Sequence, residues 1–373
     1  MRIRRALLGF LATAALSVAF AREARAGEMD PTPERLVNQP ANLPAGQTCQ
    51  SVAVNAAPIA GAGLRPGDFP CRPNNLAFKN LVSELGFAIA PTAFYPARTT
   101  GLGGFEISIE ASYTNIYAGR GVEQSGGGSL KYWQLGTRGA QDQNTKQYSI
   151  RNASPDDLLQ VYALKARKGL GLGFEFAGSF GYVSNTTLWV GGADIRWSML
   201  EGFRKGALGI LPDVSVGGGV RTLTGTSRFY LTTVGIDARV SKPITLADSA
   251  QLIPSFGYQR LIILGDSNVV DSTPNVDAMA QCGYGGVDPT TGTPICKNRL
   301  PNNADPGYDY ANNFTFDAVR VHRNRGMVAL NYRYEILWFG SQFAFDINEP
   351  RDENPGLVGK RQWTLSLEGG VYF

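Results

Sequence analysis

The chain of 373 residues is poor in the side chains that bind transition metals or act as general bases and nucleophiles. It has one histidine, His322, and four cysteines, none of them in a C-x-x-C pair. A zinc site draws on Cys and His ligands, and hydrolytic catalysis needs a nucleophile placed beside a base. We therefore expect no metal, no cofactor and no catalytic residue, and we do not expect an enzyme.

Outside residues 1–26, the chain also lacks an excess of charge of one sign. The whole chain has 35 basic and 31 acidic residues. Five of the basic residues and one of the acidic residues lie within residues 1–26, which leaves 30 of each in the rest. Nucleic-acid binding needs a clustered basic surface, so a balanced chain points to no nucleic-acid partner.

Residues 1–26 have the pattern of a secretory signal peptide. A basic start is followed by an uncharged, mostly apolar run over residues 6–21, and Ala-Arg-Ala at residues 24–26 supplies a small-x-small cleavage site. The run is shorter than the ~20 residues that span a bilayer as a helix. We expect cleavage before Gly27 and export of the remaining chain.

Export places the four cysteines in an oxidising compartment, where disulfides are stable. Cys49 and Cys71 lie in the N-terminal segment, and Cys282 and Cys296 lie in one Gly/Pro/Asn-rich stretch. Pairing within each stretch is the simplest of the three connectivities that four cysteines allow. Each such bond would be worth roughly 3 kcal/mol in the chain-entropy model.

No second apolar run approaches the length of a spanning helix, so a membrane form of this chain must be a closed β-barrel. From residue 105 onward, apolar and polar residues alternate with the period of a strand. Ten segments show this alternation, two of them weakly (158–167 and 251–264): 105–113, 158–167, 170–182, 189–199, 214–221, 234–240, 251–264, 328–336, 343–347 and 363–373.

The last segment carries the clearest alternation and ends the chain on an aromatic residue, Phe373. Leu365 and Leu367 alternate there with Ser366 and Glu368. The fold class that we expect is all-β, a transmembrane antiparallel up-and-down β-barrel of about 10 strands, with 12 as the alternative. A soluble exported β-sandwich or lipocalin-like barrel is the other alternative, and it would bury the apolar residues in a core.

This terminal strand, with Phe373 at its end and Leu365 and Leu367 in phase with it, resembles that of Gram-negative outer-membrane β-barrel proteins as a class. The resemblance implies residence in the bacterial outer membrane and recognition by the barrel-assembly machinery. A helix ahead of a barrel is also loosely similar to the hydrophobic-compound channels of the long-chain fatty-acid transporter type.

The connections between the ten segments fit a barrel inserted with its long loops outside. Such barrels have long extracellular loops and short periplasmic turns. The expected outer loops are 115–157, 183–186, 222–229, 265–325 and 348–360. The expected periplasmic turns are 168–169, 200–211, 241–250 and 338–340.

The segment before the barrel is Pro/Ala/Asn-rich and irregular, except for an apolar face over about residues 76–89. Asn74 and Asn75 supply a helix cap and Pro91 a stop. We expect a short helix that plugs the barrel mouth or lies against its periplasmic end, with a misread first strand as the alternative. The chain then divides into the signal peptide (1–26), an N-terminal segment with a disulfide and a plug-like helix (27–92) and the barrel (93–373).

Charged residues in the barrel segments occupy the positions between the apolar ones. A charge on the lipid face near the bilayer midplane costs ~2–4 kcal/mol for Arg or Lys, so we expect these side chains to face the lumen. They could form a salt-bridge network that fills a narrow barrel, or a conduit with a charge-selective constriction in which the acid excess favours cations. The expected lumen-facing charges are Glu106, Glu110, Glu175, Asp194, Arg196, Asp213, Arg221, Asp237, Arg239, Arg333, Glu335 and Glu368.

A local cluster of three arginines, Arg320, Arg323 and Arg325, surrounds His322 just before a predicted strand. At the outer rim these side chains could bind lipopolysaccharide phosphates through charge-assisted hydrogen bonds. The alternative is an ordinary solvated rim.

The leading functional hypothesis is a passive channel or transporter for a small or amphipathic solute. The second is a non-transporting structural or surface-recognition barrel that acts through loops 115–157 and 265–325. An outer-membrane enzyme is third. The sequence leaves the cargo and the oligomeric state open.

Overall fold

The structure is a computed structural model. It describes residues 28–38, 72–92, 95–123, 128–141, 149, 152–200, 211–247, 249–271, 284–287, 289–290, 294–296 and 313–373. The predicted signal peptide lies outside these residues, as do Cys49, Cys71 and Cys282, and only the backbone of Cys296 is described. Export and the two disulfides therefore stay predictions.

Ten antiparallel strands form one closed sheet. Each strand pairs with the next along the chain, and the last strand pairs with the first, so the topology is an up-and-down barrel. The predicted fold class is confirmed, with ten strands rather than twelve. The strands are β1 (Phe105–Asn115), β2 (Leu158–Gly169), β3 (Phe174–Val183), β4 (Trp189–Leu200), β5 (Asp213–Thr224), β6 (Phe229–Ser241), β7 (Ala250–Ser267), β8 (Val319–Tyr334), β9 (Leu337–Asp346) and β10 (Trp363–Tyr372).

The barrel wall is apolar on its outer face and polar on its inner face, which is the reverse of a soluble protein. On β10, Leu365 and Leu367 are exposed on the outside, whereas Ser366 and Glu368 are buried inside. On β3 the phenylalanines Phe174 and Phe176 are likewise exposed. An apolar outer face and a polar interior suit hydrocarbon around the barrel and exclude the soluble alternative, which requires these side chains in a core.

If the outer face contacts lipid, the cost of placing a charge on it should depend strongly on the depth of that position in the bilayer. Ile236 lies mid-way along β6 with its side chain outside, and Tyr230 lies outside near one end of the same strand. We expect Ile236→Arg to lower the free energy of unfolding by ~2–4 kcal/mol and Tyr230→Arg by only ~0–1 kcal/mol. Denaturant titrations in phospholipid vesicles measure both, and equal costs would contradict a membrane-facing β6.

The connections lie in two groups. Five leave the barrel at one end, here the loop end: 116–157, 184–188, 225–228, 268–318 and 347–362. Four lie at the other end, here the turn end, together with the C-terminus: 170–173, 201–212, 242–249 and 335–336. The three longest connections, 116–157, 268–318 and 347–362, all lie at the loop end, as predicted.

Two predicted turns were wrong. The turn between β2 and β3 lies at residues 170–173 rather than 168–169, because Lys168 and Gly169 still pair with Phe176 and Glu175. The hairpin between β8 and β9 turns at residues 335–336, with Tyr334 paired to Leu337, rather than at 338–340. Glu335 takes the left-handed conformation that the tight turn requires (φ 51°). Trp338, which the predicted turn 338–340 included, is therefore a strand residue buried inside the barrel. β8 also begins at Val319, so the predicted loop 265–325 is shorter.

The predicted short helix is present as α1 (Asn75–Ala88). The Asn74 side chain caps it by accepting a hydrogen bond from the Ala77 N–H at 2.9 Å. Asn74 was expected to cap it, and the observed bounds lie one residue from the predicted 76–89. The helix lies inside the barrel against β7, where Gly86 is needed because a Cβ there would meet Ile263 at 2.3 Å.

Short elements surround the loop end. They include a 3₁₀ turn (Pro33–Arg35), α2 (Tyr132–Leu135) and α3 (Pro350–Glu353). Eight short strands form four pairs: Val37–Asn38 with Arg72–Pro73, Gly121–Glu123 with Ser129–Lys131, Val270–Asp271 with Asn313–Phe314, and Tyr284–Val287 with Pro294–Cys296. At the turn end, the short strand Ile244–Ala247 pairs with β7 and extends the barrel sheet. In the described part of the chain, every helix is too short or too polar to cross a bilayer.

Candidate functional site in the barrel lumen

Residues 72–92 and 95–104, here called the plug, lead from the loop end through the lumen to the turn end. Near the loop end, the Asn75 side chain donates to Asp317. Half-way down, the Pro91 carbonyl accepts hydrogen bonds from Arg325 (2.7 Å) and Gln259 (3.2 Å). At the turn end, the Thr100 N–H donates to Glu175 at 2.8 Å. The chain then leaves the lumen through an exposed turn at residues 101–103 and enters β1, so residues 95–100 lie in the lumen, although the barrel domain was predicted from residue 93.

The loop half of the lumen is apolar. Phe78 of α1 stacks on Phe316 with ring centroids 4.5 Å apart and meets Phe229 edge-on at 6.2 Å. Leu81 and Leu85 lie in the same buried cluster, which also takes in side chains from the long connections. Each large apolar side chain buried in this way contributes ~1.5–3 kcal/mol. The cluster therefore holds α1 in place and closes the loop end.

A buried carboxylate ties α1 to the connection after β1. Glu84 accepts hydrogen bonds from the Tyr132 hydroxyl (2.6 Å), the Trp133 indole N–H (2.8 Å) and the Tyr117 backbone N–H (3.0 Å). These three donors lie beyond the last residue of β1, above the wall. Burial raises the pKa of Glu84, because the protein around it replaces water that would solvate the charge.

The turn half of the lumen is polar, and its first ion cluster joins three strands. Lys165 on β2 forms ion pairs with Glu110 on β1 and with Glu368 on β10, the second at 3.4 Å. Its Nζ also lies 2.7 Å from the Thr92 hydroxyl of the plug. The Ser108 hydroxyl donates to Glu368. Two carboxylates thus share one lysine in a site without exposed surface.

A second cluster lies nearer the turn end. Arg167 pairs with Glu106 and, at 3.5 Å, with Glu175. Arg196 on β4 also pairs with Glu175 and donates to the Pro96 carbonyl of the plug at 2.7 Å. Further round the wall, two more pairs form between neighbouring lumen-facing residues. They are Arg221–Asp194 (2.6 Å) and Arg239–Asp237 (2.5 Å).

Tyr95 of the plug lies among the cations of both clusters. The Arg167 guanidinium lies 4.1 Å from the ring centroid, and Lys165 and Arg196 each lie 5.3 Å away. The ring also contacts Trp338, 6.5 Å between centroids. The Tyr95 hydroxyl has no hydrogen-bond partner among the described residues. The ring rather than the hydroxyl therefore positions this part of the plug.

The structure places most of the predicted lumen charges inside the barrel. The buried members are Glu106, Glu110, Glu175, Arg196, Asp213, Arg221, Asp237, Arg239 and Glu368, and Asp194 joins them through Arg221. Arg333 lies half-buried at the turn end, with its guanidinium 4.1 Å from the ring centre of Tyr372. Glu335 was wrongly assigned to the lumen, because it lies exposed in the β8–β9 turn.

The lipopolysaccharide prediction is wrong for two of its three arginines. Arg323 and Arg325 are 2% and 1% exposed, because β8 begins earlier than predicted and directs them into the lumen. Arg323 pairs there with Asp346, and Arg325 donates to Gln259 at 3.0 Å. Arg320 faces outward on the same strand, as does His322.

Sequence reasoning missed several lumen residues. Lys165 and Arg167 alternate with Leu164 and Ala166, so the parity rule applied to 158–167 could have found them. With Arg323, Arg325 and Asp346 added, the described wall carries equal numbers of acidic and basic side chains, which removes the expected cation preference. The described residues contain no group of three His, Cys, Asp or Glu side chains arranged to bind a metal ion.

Comparisons with known proteins give weak similarity only. No protein-family model and no curated protein matches the chain. Solved structures that align with it include the attachment invasion locus protein Ail of Yersinia pestis (9% identity, 73% of this chain and 99% of that chain, TM-score 0.22). An outer-membrane channel from Pseudomonas putida F1 aligns at 11% identity (76% and 99%, TM-score 0.27), and the outer-membrane protease OmpT from Escherichia coli at 9% (76% and 99%, TM-score 0.26). At these values the alignments carry no argument, and the fold rests on the closed sheet of this chain.

Proposed function

We propose that the protein is an outer-membrane channel for small solutes, and that the described state is closed by its own plug. The apolar outer face, the polar lumen and the grouping of long connections at one end support this location. The loop end would then face the cell exterior and the turn end the periplasm. β10 with Phe373 would be read by the barrel-assembly machinery, and Arg320 would contact lipopolysaccharide.

One observation carries the channel proposal: the charges of the wall neutralise one another. Among the ion pairs between described lumen residues, those of Lys165, Arg196 and Arg221 join strand to strand. Only Arg98–Asp213 joins the plug to the wall. Removing one partner from a buried ion pair costs ~3–5 kcal/mol. Apart from Asp213, the paired charges of the wall would keep their partners when the plug leaves, as a removable plug requires.

Several of the plug's other polar contacts with the wall use its backbone, which water can replace, although the Thr92 side chain also bonds to Lys165 and Glu110. The carbonyls of Pro91, Tyr95 and Pro96 accept from arginines that already have partners on the wall, such as Arg239 and Arg196. A water-filled lumen would therefore still satisfy these arginines. The solute expected in such a lumen is small and polar or amphipathic.

Tyr95 provides the test of a plug-gated channel. Replacing its ring by Tyr95→Ala removes three cation–π contacts, each worth about 0.5–2 kcal/mol, and should raise the open fraction by roughly tenfold or more. Tyr95→Phe keeps the ring and loses only the hydroxyl, so it should behave as the wild type. Single-channel recordings in planar bilayers measure the open fraction. Equal traces for Ala and Phe variants would argue against gating by this segment.

A surface-recognition barrel is the second candidate, and the apolar cluster of the loop half favours it. That cluster packs α1 together with side chains of the long connections, such as Trp133 and Phe316, into one core. A rigid outer surface of this kind suits binding to a partner. A barrel that stays non-conducting after its plug is removed would support this candidate over a channel.

A further inference from the structure

A cavity of about 170 Å³ lies beside the plug at the turn end of the lumen. The plug contributes Pro96 and Arg98, and the wall contributes Arg167, Asn331, Arg333 and Trp338. A dry protein cavity of about 150 Å³ is known to hold one benzene molecule. The space is therefore large enough for a single-ring molecule or a short chain.

Two buried polar side chains that line this cavity have no partner among the described residues. Neither the oxygen nor the nitrogen of the Asn331 amide makes a hydrogen bond, although the residue is only 3% exposed. The Trp338 indole N–H is also without an acceptor, at 5% exposed. Buried polar groups are nearly always hydrogen-bonded, so these donors lack a partner that a ligand would supply.

The charged side chains that line the cavity include one more basic group than acidic groups. Arg167 is paired with Glu106, and Arg98 lies 3.3 Å from Asp213. Arg333 has no carboxylate partner in the described part of the chain; its Nε donates to the Glu335 carbonyl and its guanidinium lies over the Tyr372 ring. The lining thus presents three arginines against two acids, which suits a ligand with a single negative charge.

We infer that this cavity binds a small monocarboxylate with one ring or a short chain. The carboxylate would lie against the Arg333 guanidinium, whose planar fork matches its two oxygens. The Asn331 amide and the Trp338 N–H would donate to the same group, and Pro96 with the Trp338 ring would contact the apolar body. This inference rests on the proposed function in that it names the solute class at the periplasmic mouth of the channel.

Binding to the full-length protein in detergent tests the inference without any conductance measurement. Isothermal titration calorimetry with benzoate, benzyl alcohol and benzylamine compares three ligands that share one ring and differ in their head group. Charge-assisted hydrogen bonds make benzoate the tightest ligand by roughly tenfold to a hundredfold. Equal affinity for benzyl alcohol, or no benzoate binding by the wild type, would overturn the inference.

Substitutions locate the site. Arg333→Gln and the isosteric Asn331→Asp, which adds a like charge, should each weaken benzoate binding by roughly tenfold or more. Arg320→Gln, on the outer face of the same strand, should leave it unchanged. Folding of each variant is checked by its heat-dependent electrophoretic mobility. Unchanged affinity in folded Arg333→Gln and Asn331→Asp proteins would overturn the inference.

The outcomes separate the inference from the channel proposal. Benzoate binding that depends on Arg333, in a protein that never conducts, would keep the site and reject the channel. Conduction without benzoate binding would keep the channel and reject the site.

Discussion

Removing residues 27–99 is expected to convert a closed barrel into a conducting one. This deletion takes away α1 and the lumen segment that follows it, but it keeps residues 100–104, which lead into β1. The Gly104 N–H donates to Gly101 at 3.1 Å, and the Gly169 N–H donates to Gly104 at 2.9 Å, so this turn stays tied to the wall. All ten strands keep their pairing. Cys49 and Cys71 are removed together, so no odd cysteine is created there.

The size of the effect follows from what holds the plug. Phe78, Leu81 and Leu85 are almost fully buried, and together contribute roughly 5–9 kcal/mol to docking of α1. Spontaneous opening of the intact protein then occurs in fewer than about one molecule in a thousand. Mean conductance per inserted protein in planar bilayers should therefore rise by roughly three orders of magnitude on deletion.

A shorter deletion is the matched control. Removing residues 27–71 takes away both N-terminal cysteines but leaves the whole plug, so this variant should stay closed. A deletion of 27–99 that folds, inserts and still does not conduct would remove the channel hypothesis. The long connections at the loop end would then be the place to look for function.

The strands were predictable because a lipid-facing wall imposes alternation on every residue. The prediction failed where that signal was interrupted. Residues 336–339, Ile-Leu-Trp-Phe, form a continuous apolar run with no turn residue, so the hairpin at 335–336 was placed three residues too late. Because side chains alternate with period two, such an error changes which face a residue occupies. Trp338 and Glu335 were misplaced for this reason.

The candidate site was predictable in its wall and not in its plug. Parity alone placed Glu110, Glu175 and Arg196 inside the barrel, because a charge facing hydrocarbon is costly. The plug between residues 91 and 104 has no periodicity, and much of its contact with the wall runs through backbone carbonyls such as those of Pro91 and Pro96. Any residue offers a carbonyl, so the sequence contains no signal for these contacts.

Lys165→Met is expected to be among the most destabilising single substitutions in the barrel. The lysine is 2% exposed and pairs with Glu110 and Glu368, so its loss leaves two carboxylates buried near each other without a counter-charge. Removing one partner of a buried ion pair lowers the free energy of unfolding by ~3–5 kcal/mol. Lys168→Met on the same strand is the control, because Lys168 is exposed and its loss should cost no more than about 0.5 kcal/mol.

Denaturant unfolding in phospholipid vesicles, followed by electrophoretic mobility, measures both costs. The cause of the loss can be tested separately by adding Glu110→Gln and Glu368→Gln to Lys165→Met. If unpaired charge is what destabilises the single variant, the triple variant should recover most of the lost stability, since neutral amides remove the repulsion. If Lys165→Met proved as stable as Lys168→Met, the two carboxylates would have to be protonated or reached by water, and the expected cost of a buried unpaired charge would be refuted.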